Sequence, residues 1–194
     1  MRPISVIAIC AAMLLALPVV GGPYDDGLAA YHAGKYSDAM DLWFPLANKG
    51  DARAQVWIAK MNRMGRGVTR NFDEALKWYR KAADQGNPEA RHAIGEMYAA
   101  GLGVKQDYKE ALRWYQAAAE QKFAPAQYSV GTSYFKGQGV STDYVAAYAW
   151  MVVAVRNGYD KGKDFRDLVA STLDDAERRR ADAMATKLLG KYSK

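Results

Sequence analysis

The chain has 194 residues, of which 50% are hydrophobic and 25% are charged, a balance typical of one soluble globular domain that excludes a largely disordered chain. The formal net charge of +6 is spread along the sequence, which excludes a concentrated basic arm for nucleic acid. Cys10 is the only cysteine, so disulfides and cysteine-based metal sites are excluded.

The N-terminus has the layout of a secretory signal peptide. Arg2 is followed by twelve uninterrupted apolar residues that end at Leu17, and small residues come next. We therefore predict a leader over residues 1–22, a periplasmic or secreted mature chain, and a single domain over residues 23–194. The alternative is an uncleaved leader that anchors the protein to the inner membrane, because the apolar stretch is close to spanning length.

The rest of the chain repeats itself every 36 residues. An alanine, an indole and a Gly-x-Gly-Val loop recur in register: Ala75, Ala111 and Ala147; Trp78, Trp114 and Trp150; Gly65, Gly101 and Gly137. This spacing predicts a half repeat at 24–50, repeats at about 51–86, 87–122 and 123–158, and a C-terminal cap at 159–194. Because the glycine loop recurs in phase with everything else, we interpret it as a structural joint and not as a phosphate-binding loop.

Each repeat has the pattern of two helices. In the leading helix, over about 90–100, Ile94 and Tyr98 share one face, and Gly101 follows where a left-handed residue ends a helix. The trailing helix begins after Asp107, which forms a capping-box pattern with Glu110. The fold class predicted is therefore all-α, a solenoid of antiparallel helix pairs.

One joint departs from the pattern. Gly50, Gly86 and Gly158 close trailing helices, whereas Lys122 occupies the equivalent position in the third unit, so that joint is expected to have a different geometry. The recurring indoles are interpreted as core and not as a stacking platform for a cofactor or bases, and Trp114→Ala is expected to lower stability.

After the third repeat the pattern lapses into a terminal helix. We expect Thr172 to open this helix and an inward face formed by Leu173, Ala176, Ala181, Met184 and Leu188. The run Arg178, Arg179 and Arg180 is interpreted as the solvated side of the capping helix and not as a nucleic-acid patch.

Residues that would support catalysis or metal binding are sparse. His32 and His92 are far apart and have no metal-ligand spacing, and Ser129, Ser133 and Ser171 lack the sequence context of a nucleophile. We predict no catalytic residues, no cofactor, no metal and no nucleic-acid partner.

The motifs of the second repeat carry a resemblance to a known family. The segment Gly101-Leu102-Gly103-Val104, then Asp107-Tyr108 and Trp114-Tyr115, resembles the Sel1-like repeat family, a 36-residue relative of the tetratricopeptide repeats. The resemblance implies a right-handed superhelix that binds other proteins. Some disulfide-rich members are linked to beta-lactams, but this chain lacks their paired cysteines. An exported enzyme-like factor acting on cell-wall or beta-lactam material is therefore the alternative to an exported, non-enzymatic scaffold.

The family pattern also implies which residues face a partner. Leading helices line the concave side of such a superhelix, and solenoids bind there. The residues expected on this concave face are Arg53, Lys60, Arg63, His92, Glu96, Tyr128, Thr132, Phe135 and Lys136. Their mixture of aromatic and charged side chains predicts a protein or peptide partner with acidic and apolar anchors. For Tyr128 and Phe135 the alternative is packing against the shifted joint at Pro125.

Overall fold

The computed structural model describes residues 21–191. Over these residues the regular structure is helical, with ten α-helices and one 3₁₀ turn at Asp160–Gly162. The helices are α1 (Pro23–His32), α2 (Tyr36–Asn48), α3 (Ala52–Met64), α4 (Phe72–Asp84), α5 (Pro88–Ala100), α6 (Tyr108–Ala119), α7 (Ala124–Lys136), α8 (Tyr144–Arg156), α9 (Lys163–Ala170) and α10 (Asp175–Lys191). The predicted leader at 1–22 lies outside the described residues, apart from Gly21 and Gly22.

Consecutive helices pack in antiparallel pairs. The pairs are α1 with α2, α3 with α4, α5 with α6 and α7 with α8, and each of α2, α4 and α6 also packs against the leading helix that follows it. Helices α9 and α10 both pack against α8 and cover that end of the stack. The predicted fold class, a right-handed α-solenoid of helix pairs, is confirmed.

The two glycines of each recurring loop have different roles. The first ends the leading helix in the left-handed conformation, as predicted, with φ of +67° at Gly101. The second permits close packing between repeats. At Gly139, φ is +76°, and an added Cβ would overlap the carbonyl oxygen of Tyr108 and lie 2.6 Å from its carbonyl carbon. Each loop therefore rests on the first turn of the preceding trailing helix, which is why the Gly-x-Gly motif recurs.

The third joint keeps the backbone hydrogen bonds of the others but not their side-chain cap, so the prediction that it would differ holds only in part. Lys122 has φ of +62° and is the only non-glycine residue with positive φ among residues 21–191. Its N–H donates to Ala119 O at 3.0 Å, as the Gly86 N–H donates to Ala83 O at 2.9 Å. Packing of α6 against α7 holds the lysine in a conformation that L-residues disfavour. What changes is the cap, because Phe123 precedes α7 without a side-chain cap bond.

We expect Lys122→Gly to stabilise the protein by about 0.5–1 kcal/mol, since relief of the left-handed strain exceeds the added entropy of the unfolded chain. The measurement is the midpoint of chemical denaturation at constant slope. The matched control is Lys105→Gly in an exposed loop with no such strain, which we expect to be neutral or slightly destabilising. A Lys122→Gly variant no more stable than wild type would contradict the strain argument.

The recurring indoles are not equally buried. Trp78 and Trp150 are only 3% and 6% exposed, which confirms them as core. Trp114 is half-buried, and its indole N–H donates to Glu110 at 2.9 Å instead of packing wholly inside. The Glu110 carboxylate accepts hydrogen bonds from this indole and from Arg113, so it does not form the second half of the predicted capping box. Asp107 caps α6 by accepting from backbone N–H groups alone. The expectation that Trp114 is core therefore holds only in part.

The C-terminal cap differs from the prediction in three ways, the first being that Ala176, expected on the inward face, is exposed, whereas Ala181 and Ala185 are buried. A separate helix, α9, precedes the terminal helix. The terminal helix α10 begins after Asp174, whose carboxylate accepts from the Glu177 N–H at 2.7 Å while the Glu177 side chain accepts from the Asp174 N–H at 3.1 Å. Thr172 instead donates its hydroxyl proton to Val169 O, so its prediction as the opening residue was wrong. The reciprocal acidic cap satisfies two helix-end donors, which a single threonine does not.

Candidate functional site

The nine residues expected to face a partner lie on α3, α5 and α7, the leading helices of the three repeats. They are Arg53, Lys60 and Arg63 on α3; His92 and Glu96 on α5; and Tyr128, Thr132, Phe135 and Lys136 on α7. We call the surface that these residues form the leading-helix face.

Between α3 and α5, this face is crossed by two ion pairs. Lys60 Nζ lies 2.5 Å from Glu89 Oε1, and Arg63 Nη1 lies 2.7 Å from Glu96 Oε2. Both pairs are partly exposed, so each contributes little to stability, at most about 1 kcal/mol. These pairs neutralise the charges of Lys60 and Arg63. An acidic group on a partner therefore has to compete with Glu89 and Glu96 for these cations.

At the α3 end of the leading-helix face, two cationic side chains lie over aromatic rings. Lys60 Nζ lies 4.3 Å from the ring centre of Trp57, and the Arg53 guanidinium carbon lies 4.1 Å from that of Tyr24. Trp57 in turn stacks on the buried Trp43, with ring centres 4.9 Å apart. Side chains of α1, α2 and α3 therefore form one continuous cluster, which makes this end of the face rigid.

Between α5 and α7, a histidine and a serine meet. His92 Nε2 lies 3.0 Å from Ser129 Oγ, and the imidazole contacts the rings of Tyr115 and Phe123. Burial lowers the pKa of His92, although the carboxylate of Glu96 opposes that shift, so the imidazole is neutral at pH 7. Ser129 Oγ also lies 3.1 Å from Pro125 O, so its single hydroxyl proton has two acceptors within reach, this carbonyl and the neutral imidazole, and the histidine tautomer decides between them.

Beside this pair lies a small cavity of about 140 Å³ that has no ionised side chain in its lining. Tyr128 and Thr132, two of the predicted face residues, line it together with Tyr108, Tyr115, Ser129, Ser133 and Gln138. The prediction missed the last five. The sequence did contain one sign of the cavity, because a small serine, Ser133, occupies the repeat position at which the other two repeats have methionine. Those methionines, Met61 and Met97, are both fully buried. We call this cavity the hydroxyl pocket.

The end of the face is an aromatic cluster with the C-terminal cap. Tyr128 lies 4.9 Å from Tyr159 and 6.0 Å from Phe165, measured between ring centres. Phe135 lies 5.0 Å from Phe165. These contacts differ from the alternative of packing at Pro125, because α9 supplies the neighbouring ring. Lys136 is exposed at the last turn of α7.

Away from the leading-helix face, two of the three consecutive arginines of α10 are engaged by neighbouring side chains. Arg178 lies over the ring of Tyr148 at 4.2 Å and pairs with Asp182 at 3.6 Å, while Arg180 lies 3.9 Å from Glu177. Within residues 21–191, no group of three or more His, Cys, Asp or Glu side chains is placed to hold a metal ion. Over the same span, every helix is too short or too polar to cross a bilayer.

Comparisons with known proteins agree with the geometry. A sequence profile described as the Sel1 repeat matches residues 52–87, 88–123 and 124–159. No curated protein matches the chain significantly. Among the solved structures that match, a Sel1 repeat protein from Oxalobacter formigenes is 32% identical over 72% of this chain, with a TM-score of 0.66. This chain covers 57% of that protein.

A second similar structure is c5321, described as a protective antigen present in uropathogenic Escherichia coli strains that displays an SLR fold. It is 24% identical over 86% of this chain, with a TM-score of 0.62, and at that identity the similarity concerns the fold alone. This chain covers 46% of c5321, so it spans about half the length of the two similar structures.

Proposed function

Because the chain belongs to the Sel1 repeat family, whose members generally mediate protein–protein interaction, we propose that it is an exported, non-enzymatic scaffold that binds a peptide or protein on its leading-helix face. Export rests on the leader pattern at residues 1–22. The site of action is then the periplasm or the exterior of the cell.

One observation carries the choice of surface. Half-buried aromatic and charged side chains lie along α3, α5 and α7, and an open cavity with hydroxyl groups in its lining lies where α5, α6 and α7 meet. Half-buried aromatic and cationic side chains are typical of interaction hot spots, whereas the repeated alanines are buried and serve packing. In solenoids the concave side formed by leading helices is the usual binding surface.

The proposal is tested by site-specific photo-crosslinking in the native cell. A photoreactive residue placed at Thr132, on the leading-helix face, is expected to trap a discrete partner. The same residue at Lys77, which is exposed on the trailing helix α4, is the matched control and is expected to trap none. Intact mass of the recovered protein is expected to show a chain that starts near Gly22 or Pro23. Equal trapping from both positions, or none from Thr132, would contradict binding on this face.

A further inference from the structure

We propose that the hydroxyl pocket is a specificity pocket that takes one carboxamide side chain, asparagine or glutamine, from a bound peptide. The proposal rests on the proposed function, because it identifies which anchor the leading-helix face selects. It follows from the size, the charge and the hydrogen-bonding pattern of the pocket.

Size limits the occupant to a single side chain. The pocket holds about 140 Å³, whereas sites for whole small molecules usually exceed about 300 Å³. At about 30 Å³ per water molecule, the space corresponds to four or five waters. The space exists because Ser133 replaces the methionine of the other repeats. Met61 and Met97, at the equivalent positions, are larger and fully buried, so a methionine at position 133 is expected to take up this space.

The uncharged lining of the pocket excludes a charged side chain as its occupant. The lining consists of phenol, hydroxyl, amide and methyl groups, with no carboxylate, ammonium or guanidinium among them. An ammonium or carboxylate from a partner would lose its hydration without gaining a countercharge, which is strongly unfavourable. The neighbouring ion pair of Arg63 and Glu96 is already internally neutral.

The α7 side of the pocket accepts hydrogen bonds. Thr132 and Ser133 each donate the single hydroxyl proton to a backbone carbonyl of their own helix, at 3.0 and 2.9 Å. Their oxygens therefore present lone pairs to the pocket. A ligand group has to donate on this side.

The α6 side donates hydrogen bonds. The Tyr115 hydroxyl has no hydrogen-bond partner among the described residues, and burial raises the pKa of Tyr115, so the phenol keeps its proton. The Tyr108 hydroxyl accepts from Gln106 at 3.0 Å and so retains a proton to donate. A carboxamide donates through its NH₂ group and accepts through its oxygen, and it is uncharged. It satisfies both walls through two separate atoms, whereas a serine or threonine hydroxyl has to donate and accept through one oxygen.

The test is selection from a random peptide library displayed against the purified protein. We expect the enriched peptides to share a position occupied by asparagine or glutamine. Replacing that residue with aspartate, lysine or alanine in a synthetic peptide is expected to weaken binding at least tenfold. The wild-type protein is compared with Ser133→Met, which fills the pocket with the side chain that the other repeats carry, and with Tyr115→Phe, which removes one of the two hydroxyl donors of the α6 wall.

Both variants are expected to lose the carboxamide preference and to bind the selected peptide no better than its alanine analogue. Ser133→Met is expected to unfold at an equal or higher temperature, so lost binding is not a folding defect. The matched control is Tyr79→Phe, because Tyr79 is the equivalent residue one repeat earlier and its buried hydroxyl lies away from the pocket lining. Binders that show no carboxamide preference, or that bind Ser133→Met equally well, would overturn the pocket alone. A library that gives no binders would overturn the pocket and peptide binding together.

Discussion

Gly139→Ala is expected to lower the free energy of unfolding by about 3 kcal/mol. About 1–2 kcal/mol comes from placing an L-residue in the left-handed conformation. A further 1–3 kcal/mol comes from overpacking, because the new Cβ meets the backbone of Tyr108 and Lys109 at 2.6 and 2.8 Å, and backbone at the start of α6 has little freedom to move. The measurement is equilibrium denaturation followed by far-ultraviolet circular dichroism.

The matched control for this prediction is Gly158→Ala. Gly158 has φ of +96°, but an added Cβ there has no atom within 4 Å, so this variant carries the backbone strain without the collision. The difference between the two variants measures the close approach of neighbouring repeats. Gly103→Ala is expected to fall between them, since its Cβ would lie 3.0 Å from the backbone of Phe72. Equal losses at Gly139 and Gly158 would show that conformation alone explains the recurring second glycine.

Most of the fold could be predicted because its determinants are local and repeated. A glycine that ends a helix, an acidic or amide cap and a small residue on one helix face each leave a mark in the sequence, and a period of 36 residues brings these marks into register. Gly95 illustrates the point: an added Cβ would lie 2.6 Å from the ring of Tyr115, so the small residue permits close packing of α5 on α6.

Two features could not be predicted, the backbone conformation at Lys122 and the start of α10, because tertiary contacts there outweigh the conformational preference of the individual residues. Lys122 adopts a positive φ because the helices on either side hold it there, and the identity of the residue carries no sign of that force. The start of α10 was missed because Thr172 and Asp174 are both good caps by residue type, and only the reciprocal bond with Glu177 decides between them.

The candidate site was predicted at the level of the face and not of its contacts. Position in the repeat identifies which side chains leave the core, so Lys60, Arg63 and Glu96 were placed on one surface. Their mutual pairing depends on the offset between neighbouring helices, which a one-dimensional pattern does not contain. The meeting of His92 with Ser129, 37 positions apart, arises in the same way.

A set of polar contacts shows how the repeat also organises side chains that sequence analysis had passed over. Three side chains spaced 36 residues apart each donate to a carbonyl oxygen near the end of the preceding trailing helix: Gln55 to Ala47, Arg91 to Ala83 and Gln127 to Ala119. Each contact adds a second hydrogen bond to a carbonyl that already accepts from the backbone N–H of the residue closing the trailing helix. Polar residues buried between repeats therefore follow the same period as the alanines, and a period search that includes them predicts these joints.

Trp43→Ala is expected to be the most damaging single aromatic change, with a loss of about 3–5 kcal/mol in the free energy of unfolding. Trp43 is fully buried, and its indole N–H donates to Tyr24 O at 3.0 Å. Among the described helices α1 packs mainly on α2, so the loss is expected to release α1 first and to abolish its hydrogen-exchange protection before that of α5. The matched control is Trp114→Ala, where the indole is half-buried and bonded within its own helix, and we expect about 1–2 kcal/mol. If both variants lost the same free energy of unfolding, the degree of burial would not explain how much each indole contributes to stability.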